Sequence, residues 1–564
     1  MKKMVSLLMV FGVSLSGFSQ EVNTGEIYGD FDLNLQSYQE DELIGATAAD
    51  EVILNNAYLN LNYIKGNFAT GLRYESYLNA LADYDPEFKG NGIPYRYATY
   101  SIDGLEVTVG NYYEQLGSGL IFRSYEEKGL GIDNAMDGIR LKYRPLKGIY
   151  LKSFIGKSRA HFDYADGIFR GADGELNINE LLNAKSKTKV ILGGSFVSRY
   201  QERENIIFKI PQNVSAYASR LNIMRGNWSY YSEFAYKIND PANMLTESKM
   251  NYASGSAFKN NITFSKRGFG FSAELHRIDN MNFKSDRDKD GKAYIINYIP
   301  ALSKPHAYSL LALYPYATQF NGEIGIQADI YLRIKKGSVL GGKYGTKLAL
   351  NYSRMNGLSG DYGYSFLNDQ DHYTPMLLCF AQERYFQDIN LEINKKISKK
   401  IKTNFVIANQ TYNKDFLEGH VPGDYGVLNS TILITDVSYK IKKGHSLRME
   451  LQILNSKQLE DYSSHAGAYA NGMEEPAEGD WSMGLLEYTI SPRWFFTVQD
   501  MYNYGNEMSE KQLHYLNLTA GFIKGSNRFE IGYGKKREGI FCVGGVCKLV
   551  PSSNGFNLSI SSSF

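Results

Sequence analysis

The sequence lacks an excess of charge of either sign, and it lacks a long apolar run beyond its N-terminus. Lysine and arginine number 61 against 60 aspartates and glutamates, so the formal net charge is +1. This balance gives no electrostatic support for a nucleic-acid partner. No linker, low-complexity tract or change in composition divides the 564 residues, although a soluble chain of this length would have several domains. One long sheet closed on itself accounts for that continuity.

Catalytic motifs are also missing. The eight histidines are dispersed, and none stands in a metal-binding or nucleophile motif. A barrel phospholipase would need a serine and a histidine facing each other at the rim, and nothing in the sequence indicates such a pair. We therefore predict that the protein is not an enzyme, with no catalytic residue and no cofactor.

The N-terminus has the layout of a cleavable signal peptide. Lys2 and Lys3 precede an apolar run over 5–15, which is too short for a membrane anchor helix. Gly17 and Ser19 then place small residues before a cleavage site at Gln20. The sequence predicts a signal peptide over 1–19 and a single mature domain over 20–564. No cysteine lies near the cleavage site, which excludes lipid attachment there.

The residues that are abundant favour strands. The chain holds 44 Tyr, 30 Phe and 54 Gly against only 13 Pro. Apolar and polar residues alternate in 27–36, 59–63, 139–144, 389–394 and 447–453. A period of two places each set on one face of a strand. A soluble β-sandwich would show the same alternation, so the period alone leaves both architectures open.

The connections between strands distinguish the two architectures. Many alternating segments have about 9–11 residues, the length of a tilted membrane strand. Short turns occur at 65–67, 103–104, 145–148, 224–227, 266–268, 398–400, 442–445, 491–493 and 524–526. Long polar stretches lie between them, at 78–94, 113–136, 278–322, 355–383, 412–429, 456–479 and 536–553. Short turns at one end and long loops at the other are typical of outer-membrane barrels, with the short turns periplasmic.

With one weaker strand near 167–178, the pattern predicts an all-β fold. It is a large transmembrane antiparallel β-barrel of about 24 strands, within a range of roughly 20–26, with short periplasmic turns and long extracellular loops. The long loops include 278–322 and 536–553. The location implied is the bacterial outer membrane, where membrane lipid surrounds the barrel.

The C-terminal segment is a final amphipathic strand that ends in an aromatic residue. Its apolar set is Phe556, Leu558, Ile560 and the terminal Phe564. It resembles the C-terminal signal that the outer-membrane insertion machinery reads. That machinery is therefore an expected partner during biogenesis.

Three stretches resemble those of a Bacteroidota outer-membrane barrel family that carries a domain of unknown function. They are 117–125 (GSGLIFRSY), 314–319 (YPYATQ) and 542–547 (CVGGVC). The resemblance implies the barrel fold and the outer-membrane location over nearly the whole mature chain. It carries no catalytic residue and no substrate.

The cysteine pair in the last of these stretches predicts a disulfide. If Gly544 and Gly545 form a two-residue hairpin turn, Cys542 faces Cys547 at a separation that a disulfide can bridge. Export to an oxidising compartment favours the bond. The hairpin is expected to project into the external medium. The third cysteine, Cys379, lies in an apolar run and is expected to be buried.

One loop partly matches a calcium-binding sequence. Asp286, Asp288 and Asp290 match the first half of a calcium loop, but Asn297 stands where the bidentate glutamate should be. The main interpretation is a solvated polar loop, and a weak calcium site is the alternative.

Strand alternation also predicts which charged residues face the lumen. They are Arg73, Glu75, Arg140, Lys142, Arg144, Asp388, Glu392, Arg448 and Glu450. Two interpretations stay open, because a barrel interior is polar in either case. The residues could select solutes by charge, or they could form ion pairs across the barrel.

Two functions are compatible with these features. The first is a porin-like or loop-gated channel for small hydrophilic solutes, since a barrel this wide leaves an opening unless loops fill it. The segment 278–322 is too apolar for a free loop and could fold into or across the mouth. The second is an accessory subunit of a larger outer-membrane machine, bound to other proteins through its external loops. A TonB-dependent transporter is disfavoured, because the first strand begins within a few residues of Gln20 and leaves no room for a plug domain.

Overall fold

The computed structural model describes residues 25–48, 51–202, 211–238, 240, 254–362, 373–419, 426–459, 479–506 and 508–564. Within them, 24 antiparallel strands form one sheet. Each strand pairs with its neighbours in the chain, and the first also pairs with the last. The sheet is therefore a closed barrel, as the sequence predicts.

The strands are long for a soluble protein, and most run 9 to 15 residues. In chain order they are β1 (Glu26–Gln39), β2 (Leu54–Lys65), β3 (Phe68–Tyr77), β4 (Gly90–Ile102), β5 (Leu105–Tyr112), β6 (Glu126–Glu127), β7 (Ile132–Asp133), β8 (Met136–Leu146), β9 (Ile149–Ala160), β10 (Asp163–Asn177), β11 (Thr188–Tyr200), β12 (Asn213–Arg225), β13 (Trp228–Lys237), β14 (Gly255–Lys266), β15 (Phe269–Asp279), β16 (Gly322–Ile334), β17 (Thr346–Tyr362), β18 (Tyr373–Lys396), β19 (Ile401–Asn413), β20 (Val427–Lys442), β21 (His445–Gln458), β22 (Trp481–Ile490), β23 (Trp494–Tyr502), β24 (His514–Lys524), β25 (Asn527–Lys536), β26 (Gly539–Val543), β27 (Val546–Val550) and β28 (Ser553–Ser563). The pairs β6–β7 and β26–β27 form separate two-stranded ribbons, and the others form the barrel.

The outer surface of the barrel is apolar. Large side chains such as Ile139, Leu451 and Ile531 are more than half exposed. Such a continuous apolar surface is unfavourable in water and suits a hydrocarbon environment. The polar residues between them on each strand face the interior, because successive side chains point to opposite faces.

The barrel closes between its first and last strands. Leu33 of β1 lies opposite Ala57 of β2 on one side and Ile560 of β28 on the other. Beyond β28, the backbone N–H and C=O of Phe564 each bond to Gly29 at 2.9 Å. Phe556 and Phe564 are exposed on the outer surface. Their role in insertion remains a prediction.

The two ends of the barrel differ as expected. One end, here the short-turn end, has the predicted tight turns, such as 66–67 and 443–444. Two of its connections are longer. The first holds α1 (Ile178–Leu181), and the second, 335–345, was not singled out in the sequence. The opposite, long-loop end carries the long segments and α2 (Lys414–Glu418).

Helix is otherwise limited to single 3₁₀ turns. In the part of the chain that the structure describes, we find no helix with the length and apolar character to traverse a membrane. The predicted signal peptide, 1–19, lies outside the described residues, as do parts of 412–429 and 456–479.

The topology leads to a labelling prediction. In a Cys379→Ser variant that keeps the disulfide, we place single cysteines at the exposed Glu42 and Glu510 of the long-loop end, or at Gly66 and Lys399 of the short-turn end. The first two should react with a membrane-impermeant maleimide on intact cells, because long loops of such barrels face outward. The last two should react only after the outer membrane is permeabilised. Reversed labelling would overturn the orientation.

Candidate functional site

The interior of the barrel holds a folded segment, residues 280–321 between β15 and β16, which we call the lumen insert. On one wall, the Gly167 amide donates to the Ser285 carbonyl at 3.1 Å. Eight strands further round the barrel, Lys304 pairs with Glu392 of β18 at 3.2 Å. The insert therefore bridges β10 and β18 through the lumen. It is not the long external loop that the sequence organisation suggested, although its apolar residues did indicate folding into the mouth.

The insert also reaches deep into the barrel. The Tyr308 hydroxyl accepts from Asn404 at 2.8 Å and lies 3.3 Å from Asp436. Asn404 stands three residues from the start of β19, about 10 Å from the short-turn end at the usual rise per residue. The insert therefore occupies most of the lumen depth instead of only capping the mouth.

Two apolar clusters fix the insert to the wall. In the first, Phe283 and Ile296 of the insert pack with Phe169 of β10. In the second, Leu310 and Tyr316 pack against residues of β17 to β22, such as Ile432. Each such buried side chain contributes about 1.5–3 kcal/mol relative to exposure. The lumen next to β8–β22 is therefore packed like a protein core.

A second segment, 113–135 between β5 and β8, also lies inside; we call it the inner loop. Its Arg123 amide donates to the Ile296 carbonyl of the insert at 2.7 Å, and its Ser118 amide donates to Glu233 of β13 at 2.9 Å. At Gly117 the backbone is left-handed, with φ 56°, and a Cβ there would collide with the Glu233 carboxylate. One local signal indicates this inward fold, namely the apolar residues at 116 and 120–122.

The ribbon β26–β27, here the tied hairpin, closes over the insert. Cys542 faces Cys547 across the ribbon with 4.0 Å between their Cα atoms, and the two form the predicted disulfide. The turn glycines, Gly544 and Gly545, have φ of 58° and 90°, as a two-residue hairpin turn requires.

The expectation that this hairpin projects into the external medium is wrong. The Thr318 amide of the insert donates to the Gly545 carbonyl at 3.0 Å, and Lys548 pairs with Asp83 at 2.6 Å. Val546 and Cys547 are 7% exposed, so burial of apolar surface draws the ribbon inward. The three stretches that carry the family resemblance lie far apart in the sequence but come together in the lumen. The stretch 314–319 belongs to the insert, which contacts both 117–125 and 542–547.

At the long-loop end, His161 joins the insert to the rim. Its ring packs beside Phe88 and Tyr294, and it lies 3.2 Å from Glu87 and 3.6 Å from Asp85. Burial lowers the pKa of His161 more than the neighbouring carboxylates raise it. The imidazole is therefore neutral at neutral pH.

The predicted lumen-facing residues Arg73 and Glu75 belong to a buried ion cluster. They contact each other at 2.6 Å, and Arg159 pairs with Glu75 at 2.6 Å and with Asp133 of the inner loop at 2.5 Å. Arg73 also pairs with Asp133. Arg159 and Asp133 were missed, because strand alternation does not show which loop residue meets the wall.

The other predicted residues also have charged partners. Arg140 and Lys142 contact Glu106 at 2.9 and 3.2 Å, and Arg144 contacts Asp103 at 3.1 Å.

On the opposite wall, Asp388 contacts His306 of the insert at 2.6 Å, and Glu392 contacts Lys304. Arg448 pairs with Asp436 at 3.0 Å and also with Glu450. These contacts favour the ion-pair interpretation for the residues at this depth.

The calcium interpretation gains no support. Asp286 accepts from Gln201 at 2.9 Å, and the exposed Asp290 pairs with Lys284 at 2.8 Å. Across the described ranges, no three carboxylate, histidine or cysteine side chains converge on one point. Asp286, Asp288 and Asp290 therefore do not form a common ligand set here.

One arc of the wall differs from the packed side. The inward residues of β24, β25, β28 and β1 are small or polar and mostly half-buried, and we call this surface the polar arc: Asn517, Thr519, Glu530, Ser559, Ser561, Asp30, Asp32 and Asn34. Neither apolar cluster includes any of them. Among the contacts of the described residues, the polar arc meets the lumen segments through Asp32, which pairs with Lys128 at 2.9 Å.

Comparison with known proteins identifies a family. DUF6029, a family of unknown function, matches residues 1–564. No curated protein matches the chain.

Solved structures that resemble the chain include the P pilus usher (PapC) translocation pore, with TM-score 0.44, 9% identity, and coverage of 95% of this chain and 99% of that one. The siderophore receptor PirA from Pseudomonas aeruginosa matches with TM-score 0.40, 9% identity, and coverage of 96% and 81%. The outer membrane protein OpdK from Pseudomonas aeruginosa matches with TM-score 0.33, 12% identity, and coverage of 77% and 99%.

The tied hairpin generates a prediction. A Cys542→Ser/Cys547→Ser variant should exchange amide hydrogens faster at Ala301 and Thr318, because these two amides donate to the carbonyls of the hairpin tip, Gly544 and Gly545. The thermal midpoint of the barrel should stay nearly unchanged, since the bond closes only a short loop. Cys379→Ser, at an exposed free cysteine that was wrongly expected to be buried, is the matched control. Equal exchange in both variants would show that the disulfide does not hold the hairpin on the insert.

Proposed function

We propose that this chain, which belongs to the DUF6029 family of unknown function, is a non-enzymatic, loop-gated channel for small hydrophilic solutes in the bacterial outer membrane. It reaches the membrane through the signal peptide 1–19 and the insertion machinery. The polar arc is the observation that carries the proposal. A wall of asparagine, serine, threonine and acidic side chains faces the lumen where the apolar clusters do not reach.

The gate in this proposal is the lumen insert. One part of it, 304–308, contacts β18 and β20 through polar side chains, Lys304, His306 and Tyr308. The apolar cluster of Leu310 and Tyr316 holds the rest of the insert on the wall. The contacts of Lys304 and Tyr308 are half-buried, and polar contacts that water can reach are replaced by water at a small net cost. Displacement of this part of the insert would widen the passage along the polar arc while the barrel stays closed.

A second candidate, an accessory subunit of a larger outer-membrane machine, is favoured by a different feature. β17 and β18 have 17 and 24 residues, and β18 is far longer than its neighbour β19, which has 13. At the long-loop end of β18, Leu378 and Phe380 are 54% and 38% exposed. An exposed apolar ribbon at this position offers a contact surface to another protein.

Conductance separates the two functions. In planar bilayers, the wild-type protein should show small, infrequent openings. A Lys304→Ala/His306→Ala variant should open more often, because two anchors of the insert are lost. Lys443→Ala, at an exposed short turn, is the control and should behave as wild type. Absence of conductance in all three, together with a stoichiometric partner in gently solubilised membranes, would replace the channel with the subunit.

A further inference from the structure

The short-turn mouth of the lumen carries a row of basic side chains on five adjacent strands, β16 to β20. We call Arg333, Lys347, Lys396, Lys402 and Lys440 the basic arc. Arg333, Lys347, Lys402 and Lys440 are exposed and Lys396 is half-buried. Each lies within two residues of the short-turn end of its strand.

Alternation fixes the direction of these side chains. Asp329 contacts the inward Asn351 at 2.8 Å, Glu392 contacts Lys304 of the insert, and Asp436 contacts Tyr308 of the insert. These three acids therefore face the lumen. Arg333, Lys396 and Lys440 each follow one of them by four residues, and an even step keeps a side chain on the same face.

Lys347 and Lys402 face the lumen for the same reason. Lys347 precedes the inward Asn351 by four residues, and Lys402 precedes the inward Asn404 by two. On β16, β18 and β20 the basic residues thus lie about 13 Å along the strand from the inward acids, toward the short-turn mouth, at 3.3 Å per residue.

The pairing within the arc is electrostatically unfavourable. Arg333 lies directly opposite Lys347, and Lys396 lies directly opposite Lys402. Like charges directly opposite each other destabilise an antiparallel pair. Within the described residues, no member of the basic arc has a carboxylate within ion-pair distance, and Lys396 packs over the Tyr344 ring at 4.9 Å.

Two basic residues elsewhere near this mouth have acidic partners. Arg144 pairs with Asp103 at 3.1 Å, and Arg528 pairs with Glu530 at 2.5 Å. No acidic residue occurs in 330–350, 393–403 or 437–447, the three hairpin ends that carry the basic arc. These three hairpin ends therefore carry a local excess of positive charge, in a chain whose net charge is +1.

We propose that the basic arc is a binding site for small multivalent anions, of phosphate or carboxylate chemistry, that enter the channel from the short-turn side. Several ammonium groups and one guanidinium on strands about 4.8 Å apart can surround such an anion from one side. A bound anion offsets the repulsion within the two like-charge pairs. The repulsion that destabilises the sheet without a ligand therefore favours anion binding. This inference rests on the proposed channel, whose solute class it specifies.

Binding of pyrophosphate to the full-length protein in neutral detergent tests the site by titration calorimetry. A Lys396→Gln/Lys402→Gln/Lys440→Gln variant should bind about tenfold more weakly, since each exposed charge contributes a few tenths to one kilocalorie. The matched control is Lys399→Gln/Lys400→Gln/Lys443→Gln. It removes the same charge from exposed positions at the turns of the same hairpins and should bind nearly as wild type.

Thermal unfolding without the ligand gives an independent measurement. The basic-arc variant should melt at or above the wild-type temperature, because neutralisation removes like-charge repulsion. A lower melting temperature would show that these residues stabilise the barrel, which would contradict the proposal. Replacement of the same three lysines by arginine should retain binding.

The outcomes also separate this site from the channel itself. Conductance in planar bilayers without pyrophosphate binding would overturn the anion site and leave the channel. Pyrophosphate binding that depends on the arc, without conductance, would sustain the site and overturn the channel. Equal losses in the arc and control variants would mean unspecific attraction and would also refute the site. The site is also refuted if the control variant, with its three substitutions at the turns, loses affinity equally for pyrophosphate and for an anionic phospholipid headgroup. Such a result would place anion binding at the exposed turns, whereas the basic arc faces the lumen.

Discussion

Every other feature of this structure depends on the closure of the sheet between β1 and β28. In hydrocarbon, an unpaired backbone N–H or C=O costs several kilocalories per mole, so a spanning sheet cannot keep an open edge. Pairing of Leu33 with both Ala57 and Ile560 removes the two edges at once. Closure also places about half of the strand side chains in the interior. A barrel of 24 strands is too wide for these side chains alone to fill.

The chain fills part of that interior with its own loops. The lumen insert, the inner loop and the tied hairpin come from segments up to four hundred residues apart, yet they contact one another at Ile296, Tyr298 and Thr318. Apolar burial holds them against β8–β22, and ion pairs such as Arg159–Glu75 satisfy the charges that closure places there. A buried ion pair adds little net stability, but loss of one partner is costly. These ion pairs therefore contribute mainly to the position of the lumen segments and only a little to the stability of the barrel.

The filling is uneven, and the unevenness bears on function. On the polar arc, side chains such as Asn517 and Ser559 keep access to the lumen. On β18 and β20, inward acids hold the insert, while the basic arc near the short-turn mouth of β16–β20 has no carboxylate partner among the described residues. The same wall thus separates a layer that anchors the insert from a layer that is available to a ligand.

The sequence by itself determined the barrel. Alternation in segments such as 447–453 fixes which side chains face lipid, because a period of two is a local property of the strand. The contrast between turns such as 66–67 and the long loops fixes the number of strands and their up-and-down order. The pairing of Cys542 with Cys547 was also predictable, since two glycines set the hairpin register.

Only the tertiary structure decided how the lumen is filled. The inward fold of 113–135, the contact of Thr318 with the tied hairpin and the partners of Arg73 and Asp388 join residues far apart in the chain. No local period encodes such contacts. The side-by-side placement of Arg333 with Lys347 and of Lys396 with Lys402 also required the register between strands. The physical reason is that the face to which a strand side chain points is set by its immediate neighbours in the sequence. Which loops meet inside the closed barrel depends instead on which apolar and charged surfaces fit together after closure.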